Sequence, residues 1–528
     1  MTDQPRPRRT HVPNAGYAIW RKHMIFAALA VPCFCSGSIV SAQVLTPGLV
    51  ASSEASPATQ LSLQEFVRRV LKANKAVQTK RNEQELANSA VERAQSVFQP
   101  KVDISATSGQ SRVQNTLEED LLRQRLGLFE RKGQDYSVGV NGLVASGAKL
   151  EVKGTVSRFL TNINESLRGS DASDFRTFYG VTVTQPLARD SGPEVTRSRV
   201  RIAELDADAA RKATVDTEAS TAADAMFAYL DLGLAQVRMT GWYEKIKVAE
   251  QLSADASSLV RLGRLPESDI WEVENNLARY RAGASEAQQA VIERINRMRG
   301  LMLLSAADGW SPLRASDPVP QVSRIRLDID EDLRIAIERR PDYGLRKLMV
   351  EREGVQLVFA QNQKLPRIDL LASYGQNGLA QALRAAVSPN NTGDFPTWSV
   401  GLQMSMPIGE NQQASADLRA AKARAQEAML ALKSVESTLA NDIDTSHAMI
   451  RSSYERYQLF AEIAEREGRL TQVLRQKLIA GRSDMRELLI SQERAINSRI
   501  AMHEQAVAHA KALTIRALAQ GILLDQFQ

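Results

Sequence analysis

The chain is 528 residues long, 43% hydrophobic and 24% charged, with a net charge of +6 and two cysteines. Its excess positive charge is concentrated near the N-terminus, so it is no footprint for a nucleic-acid partner. No stretch is long and apolar enough for a transmembrane helix, so a chain of this kind that enters a membrane must do so as a closed β-barrel.

In the first 42 residues, Arg6, Arg8, Arg9, Arg21 and Lys22 precede the apolar run "MIFAALAVPCF" (24–34), and "VSA" ends at Ala42. This is the pattern of a secretory signal peptide, 1-42, that is cleaved off. Both cysteines, Cys33 and Cys35, fall inside it, so the mature chain would have no disulfide despite an oxidising compartment. Pro32 and Phe34 stand before them, which argues against a lipid-anchored cysteine. Cleavage would also remove the five basic residues and Asp3, leaving 62 basic against 60 acidic residues.

After an extended segment, 43-60, a first structural repeat is expected over 61-310. Ser62-x-x-Glu65 is a capping box, with Leu61 and Phe66 placed as a hydrophobic staple. The helix it opens ends before Pro100. "QPKVDISATSGQ" (99–110) then alternates as a strand, expected over 101-112, and "YGVTVTQPL" (179–187) as another over 177-187. Between them "YSVGVNGLV" (136–144) and "LEVKGTVSRF" (150–159) alternate around the turn "ASGAK". This hairpin either adds two strands or decorates an enlarged loop. The second half has no counterpart, which favours the loop. No proline intervenes between Pro193 and Pro266, and a long helix runs to a break at "RLGRLPESD" (261–269), a tip near 263-269, before helix resumes.

The proline-containing stretch 308–326, with a linker at 311-326, leads into a second repeat, 327-528. Asp328-x-x-Glu331 recurs at an offset of 266 from the first capping box, but Asp332 stands where Phe66 did, so the staple is not repeated. "LPRIDLLASYGQ" (365–376) matches the first strand phrase at the same offset, with Pro366 for Pro100 and a strand over 367-375. "VGLQMSMPI" (400–408) matches the second at an offset of 221, with Pro407 for Pro186 and a strand over 398-407. Trp398, Val400, Leu402, Met404 and Met406 share one face; Ser399, Gly401, Gln403 and Ser405 share the other. That is the pattern of a strand with lipid outside and water inside, although a strand of a soluble two-layer sheet alternates in the same way.

No proline follows Pro407, and good helix formers dominate. Leu432, Val435, Leu439, Ile443, Ser446 and Ile450 recur at steps of three or four. A helix from Gln412 to Ala480 would be about 100 Å long, a length that implies coiled-coil packing. It breaks at "IAGRSDMRE" (479–487), a second tip near 481-487. The expected class is mainly α with a β-barrel contribution: duplicated long helical hairpins plus four antiparallel strands, or six if the inserted hairpin joins them. Two strand pairs cannot enclose a water-filled lumen, and an open edge in lipid leaves backbone groups unpaired. Several subunits in cyclic symmetry must therefore complete the barrel.

These features carry a resemblance. The duplicated Pro100 and Pro366 ahead of matching strands, "TQPL" at 184–187, and the two glycine tips followed by an acidic residue resemble the TolC-like outer-membrane efflux proteins, over nearly the whole mature chain. The resemblance implies a homotrimeric α/β-barrel tunnel set in outer-membrane lipid, with a periplasmic helical domain. It implies a periplasmic adaptor and an inner-membrane transporter as partners, and a passive exit duct for small molecules as the function. Type I protein secretion is the alternative within the same architecture. A soluble helical adaptor or scaffold is disfavoured, because two hairpins follow two strand pairs.

In the family, an acid at the first tip bonds a basic residue at the second and helps hold the tunnel closed. Six residues after Gly263 stands Asp269; two after Gly481 stands Ser483 rather than a base, with Arg482 one position off and Arg486 nearby. A pore-facing acid is expected six residues after Gly481, which is Glu487; the ninth position, acidic in some members, is Ile490. The candidate tip and gate set is Gly263, Asp269, Gly481, Arg482, Asp484 and Glu487. Threefold symmetry would turn Glu487 into a ring of acids favouring cations, against the ordinary reading of a solvated glutamate near a helix start. Asp442 and Asp444, mid-helix, either line the tunnel or belong to a solvated face, the more ordinary reading. The candidate helix–strand junctions are Pro100, Pro186, Pro366 and Pro407. His447, His503 and His509 remain after cleavage, none at the i,i+4 spacing of a helical metal site. No phosphate-binding glycine loop or nucleophile elbow is present. The expectation is a non-enzyme with no cofactor and no metal, driven by a partner.

Overall fold

The computed structural model describes residues 59–123, 126–169, 172–261, 266–304, 313–480 and 482–527, all within one compact unit, Ser56–Gln528. The expected signal peptide with its cysteines, residues 43–58, and the tip glycines Gly263 and Gly481 lie outside the described residues.

The elements of the first half run β1 (Thr59–Leu61), α1 (Leu63–Ala73), α2 (Lys75–Gln95), β2 (Lys101–Gln114), α3 (Leu117–Leu122), β3 (Leu128–Leu143), β4 (Lys149–Thr161), α4 (Asn162–Arg168), β5 (Asp174–Pro186), α5 (Pro193–Thr196), α6 (Ser198–Arg261) and α7 (Glu267–Leu301). The second half runs β6 (Leu313–Ala315), α8 (Ile329–Arg339), α9 (Pro341–Gln363), β7 (Arg367–Ala380), α10 (Leu383–Thr392), β8 (Pro396–Ser405), α11 (Gln412–Ile479) and α12 (Met485–Gln520). The offset of 266 relates α1 to α8 and β2 to β7 residue for residue. β1 pairs in parallel with β6, so the stretch read as a bare linker contains a strand.

Local chemistry sets the boundaries. Ser62 caps α1 by accepting from Glu65 N, and Asp328 caps α8 by accepting from Glu331 N, both at 3.3 Å. Pro341 sits at the first turn of α9, where a missing N–H costs nothing. Pro100 and Pro366 immediately precede β2 and β7, as expected of a residue that disfavours helix before it. Pro186 is the last residue of β5. Pro407 lies beyond the end of β8, which stops at Ser405.

The sheet is one antiparallel meander of six strands in the order β2-β3-β4-β5-β7-β8. The inserted hairpin is therefore no loop decoration, which corrects the sequence reading. β3 and β4 lie inside the sheet, separating β2 from β5. The physical reason is register. Val102 pairs with Val140, Val140 with Val152, and Val152 with Val181, so the apolar face continues unbroken across the inserted strands.

Below the sheet, α6 and α7 form one long helical hairpin and α11 and α12 the other. α11, at 68 residues, is about 100 Å long. Its stripe behaves as its spacing predicts: Leu439, Ile443, Ser446 and Ile450 are buried. Three apolar clusters hold the helices together. One gathers Phe66, Val67 and Val70 against Tyr229, Leu232 and Met298; another joins Leu439 and Ile443 to Ala336 and Ala519; the third lies toward the tips. No described helix is long and apolar enough to cross a membrane.

Candidate functional site

Three regions of the chain have distinctive chemistry: the sheet, its rim, and the helical tips. Strand alternation and the observed register give the sheet two distinct faces. One carries Val102, Ile104 and Ala106 on β2, then Tyr136, Val138 and Val140 on β3. It continues through Leu150 and Val152 on β4, Tyr179, Val181 and Val183 on β5, and Leu370 and Tyr374 on β7. It ends with Trp398, Val400, Leu402 and Met404 on β8. All of these side chains but the half-buried Val183 are exposed, Ile104 at 76% and Trp398 at 72%. So much contiguous exposed apolar surface marks a face meant for an apolar partner. Tyr374 is paired with Trp398 and Tyr179 lies nearby, which places aromatics toward the end of the band remote from the helices, as at a membrane interface.

The opposite face is polar. Ser105 and Ser137 share a hydrogen bond of 2.8 Å across β2 and β3, and Ser373 and Ser399 one of 2.7 Å across β7 and β8. Asp103 accepts from the Asn141 amide, and Asp369 accepts from Arg367 Nε at 2.7 Å. Lys149, Glu151 and Lys153 of β4 are on this face. Phe178 lies across Gly180, where a Cβ would stand 2.7 Å from the ring.

At the rim, the turn between β3 and β4 packs into the β5–α6 junction. Gly192 N donates to Ser146 O at 3.1 Å, and Gln185 Nε2 donates to the same carbonyl at 3.3 Å. Gly147 has φ +92°, and a Cβ there would fall 2.5 Å from Asp190 O. That position requires glycine.

Toward the tips, Leu252 and Ala256 of α6, Val273 of α7, Leu474 of α11, and Met485, Leu488 and Leu489 of α12 form one apolar cluster. Asp484 caps α12, accepting from Glu487 N at 2.6 Å, and the Glu487 carboxylate accepts from Ser483 Oγ at 2.7 Å. Arg486 pairs with Glu272 at 3.2 Å, tying α12 to α7; the side chain of the expected gate acid, Asp269, lies outside the described residues. Both partners of that pair are largely exposed, so it contributes about 0–1 kcal/mol. Arg482 is exposed, and its N–H donates to Lys477 O at 2.8 Å. Further along, Lys245 is 4% exposed, 3.6 Å from Glu493 and over the Trp242 ring at 4.1 Å. Burial lowers its pKa against the pull of Glu493. Burial and the same carboxylate push Tyr280 up to about 12.

One polar cluster was not read from the sequence as a site. Asp332, the residue that replaces Phe66 in the second repeat, is 1% exposed. It accepts from Arg516 Nε at 2.6 Å and Nη2 at 2.7 Å, and lies 2.6 Å from His447 Nε2. Burial raises its pKa, but the hydrogen bonds and charges of Arg516 and His447 outweigh that and hold it below the usual carboxylate range. The failed staple was the signal: Phe66 stacks on Tyr229 with centroids 6.2 Å apart, while its counterpart ties α8 to α11 and α12 by charge. Nearby, Arg340 joins Asp442 at 2.8 Å, which accounts for one of the two mid-helix aspartates; Asp444 is exposed. Among the described residues no cluster of His, Cys, Asp and Glu could hold a metal ion.

Residues 333–516 match the family model described as outer membrane efflux protein. The fold is similar to the crystal structure of the CmeC outer membrane channel of Campylobacter jejuni, with TM-score 0.61 and 15% identity over 90% of this chain and 91% of that one. It is similar to the open state of the MtrE outer membrane channel of Neisseria gonorrhoeae, with TM-score 0.60 and 16% identity over 92% and 99%. It is also similar to a membrane protein from Pseudomonas aeruginosa, with TM-score 0.60 and 16% identity over 90% and 99%. No curated protein matches the sequence.

Proposed function

The chain has the sequence signature of the outer membrane efflux proteins over its second repeat and the fold of those channels along its described length, and from that premise we propose that it is the passive exit duct of a tripartite export system. Channels of this family are non-enzymatic conduits, and the chain's work is to enclose a path. Cleavage after Ala42 delivers it to the periplasm. Three copies then assemble with their sheets in the outer membrane and their hairpins below, against a periplasmic adaptor and an inner-membrane transporter. The tips around 263-269 and 481-487, with Asp269, Arg482, Asp484 and Glu487, form the gate and the adaptor dock.

The observation that carries this reading is the sheet. One face is apolar and exposed over six strands, the other is polar, and among the described residues both edges are unpaired. A soluble protein would cover the apolar face, and a bilayer tolerates no open edge. Small toxic compounds are the proposed cargo. Deleting the gene should sensitise cells to such compounds and leave secreted proteins unchanged. Loss of a secreted protein with unchanged drug sensitivity would move the cargo to type I secretion. Soluble, monomeric protein on fractionation and a heat-modifiability gel would sink the duct itself.

A further inference from the structure

The two edges of the sheet are related by the internal repeat, and that relation specifies how copies join. β5 of the first repeat pairs with β7 of the second. Offsets of 221 and 266 carry β5 onto β8 and β7 onto β2. The pairing of β5 with β7 is therefore the internal equivalent of a pairing between β8 and the β2 of the next copy. Directions agree: in a meander of six, the first and last strands run oppositely, so β8 meets a neighbouring β2 antiparallel.

The equivalence also supplies a register. Val181 pairs with Tyr374, Val183 with Ala372 and Gln185 with Leu370, and Leu187 N donates to Ile368 O at 2.8 Å. Transferred by the offsets, Leu402 meets Ser108 of the partner subunit, Met404 meets Ala106 of the partner subunit, Met406 meets Ile104 of the partner subunit, and Ile408 meets Val102 of the partner subunit. Each pair falls on the apolar face. The transfer accounts for three observations at once. β5 extends to Pro186, held there by Asp369 of β7, whereas β8 stops at Ser405 and leaves the equivalents of its last two residues, Met406 and Pro407, unpaired. Met406 is 61% exposed and Ile408 is fully exposed, both apolar, beyond the strand's end. Every residue of β2 and of β8 is exposed.

We propose that this chain closes its barrel by pairing β8 with β2 of a second copy in that register, giving a trimer an eighteen-stranded barrel with the β3–β4 hairpins in its wall. The proposal rests on the trimeric duct reading. With strands about 4.8 Å apart and tilted about 40°, eighteen strands span a backbone diameter of about 36 Å, against about 24 Å for twelve. The wider lumen is lined in part by Lys149, Glu151 and Lys153 of the inserted strand.

The test uses the full chain expressed into the outer membrane. Ala106→Cys with Met404→Cys, and Ser105→Cys with Ser405→Cys, should each give an oxidant-dependent ladder up to three copies, one pair being of the closer, non-hydrogen-bonded type. Neither single variant should do so. Ala106→Cys with Val400→Cys, displaced by four residues or about 13 Å, should not cross-link. A heat-modifiable trimer that cross-links only out of register, or not at all, overturns the register while the duct reading stands. Protein that is soluble and monomeric overturns the duct reading itself. A membrane-impermeant maleimide should label Lys153→Cys, which faces the lumen, and spare Val152→Cys, which faces lipid. Equal labelling of both places the hairpin outside the barrel wall and overturns the strand count.

Discussion

Asp332→Ala probes the feature in which the two repeats differ most. The carboxylate is 1% exposed and receives both arms of the Arg516 guanidinium, at 2.6 and 2.7 Å, with His447 at 2.6 Å. Removing it leaves a guanidinium and a buried imidazole without their acceptor. Breaking a buried pair from one side costs about 3–5 kcal/mol. The Arg516 side chain is 24% exposed and recovers part of its hydration, so the expected cost is about 3 kcal/mol. The loss is local, because Asp332 connects α8 to α11 and α12. At about 1.4 kcal/mol per factor of ten, amides of α8 should exchange with deuterium roughly 100-fold faster in detergent-extracted protein, while α1, held by Phe66, should be unchanged. Asp332→Ala combined with Arg516→Met should recover much of the protection, since the stranded cation is the main penalty. A change below about threefold in α8, or no recovery in the double variant, would refute the assignment of this cluster as the second repeat's substitute for an apolar staple.

Other outcomes follow from the same geometry. Glu487→Ala should reduce, and Glu487→Lys reverse, cation preference in single-channel recordings; unchanged selectivity in both removes Glu487 from the filter. Gly283→Ala places a Cβ 2.7 Å from Trp242 and should cost about 1–3 kcal/mol as overpacking, seen as a lower melting temperature of the extracted protein; an unchanged value shows that the ring moves freely. Burial holds the His509 pKa below its ordinary 6.5, so the unfolded chain takes up the proton first as pH falls through that value. Stability should therefore decline from neutral pH toward the lowered folded value, and His509→Gln should flatten that part of the pH profile. An identical profile in the variant shows that the imidazole does not contribute.

Much of this was legible in the sequence because the repeat is gapless where it matters. A constant offset of 266 links Leu63 to Ile329 and Lys101 to Arg367, so the second half interprets the first. The long helices were legible from their lack of proline and the stripe at Leu439, Ile443 and Ile450. The membership of β3 and β4 in the sheet was not. Alternation shows that a strand has two faces, but not which strands lie beside it, and these two lack a counterpart in the second half. Only the row Val102, Val140, Val152, Val181 places them. At the tips, the sequence offered Asp269 with Arg482 or Arg486; the structure pairs Arg486 with Glu272, and the Asp269 side chain lies outside the described residues. Glu272 lies within α7, where spacing counted from a tip glycine does not single it out. The Asp332 cluster joins residues 115 and 184 positions apart, and local patterning carries no such information.

A chain that works as a duct encloses an aqueous path across a membrane. Purified full-length protein added to one side of a planar lipid bilayer would reveal that path as a current. Discrete, long-lived conductance steps are expected from a species that runs as three copies before heating and one after. Bilayers that stay silent with correctly folded protein present at saturating amounts would contradict the duct.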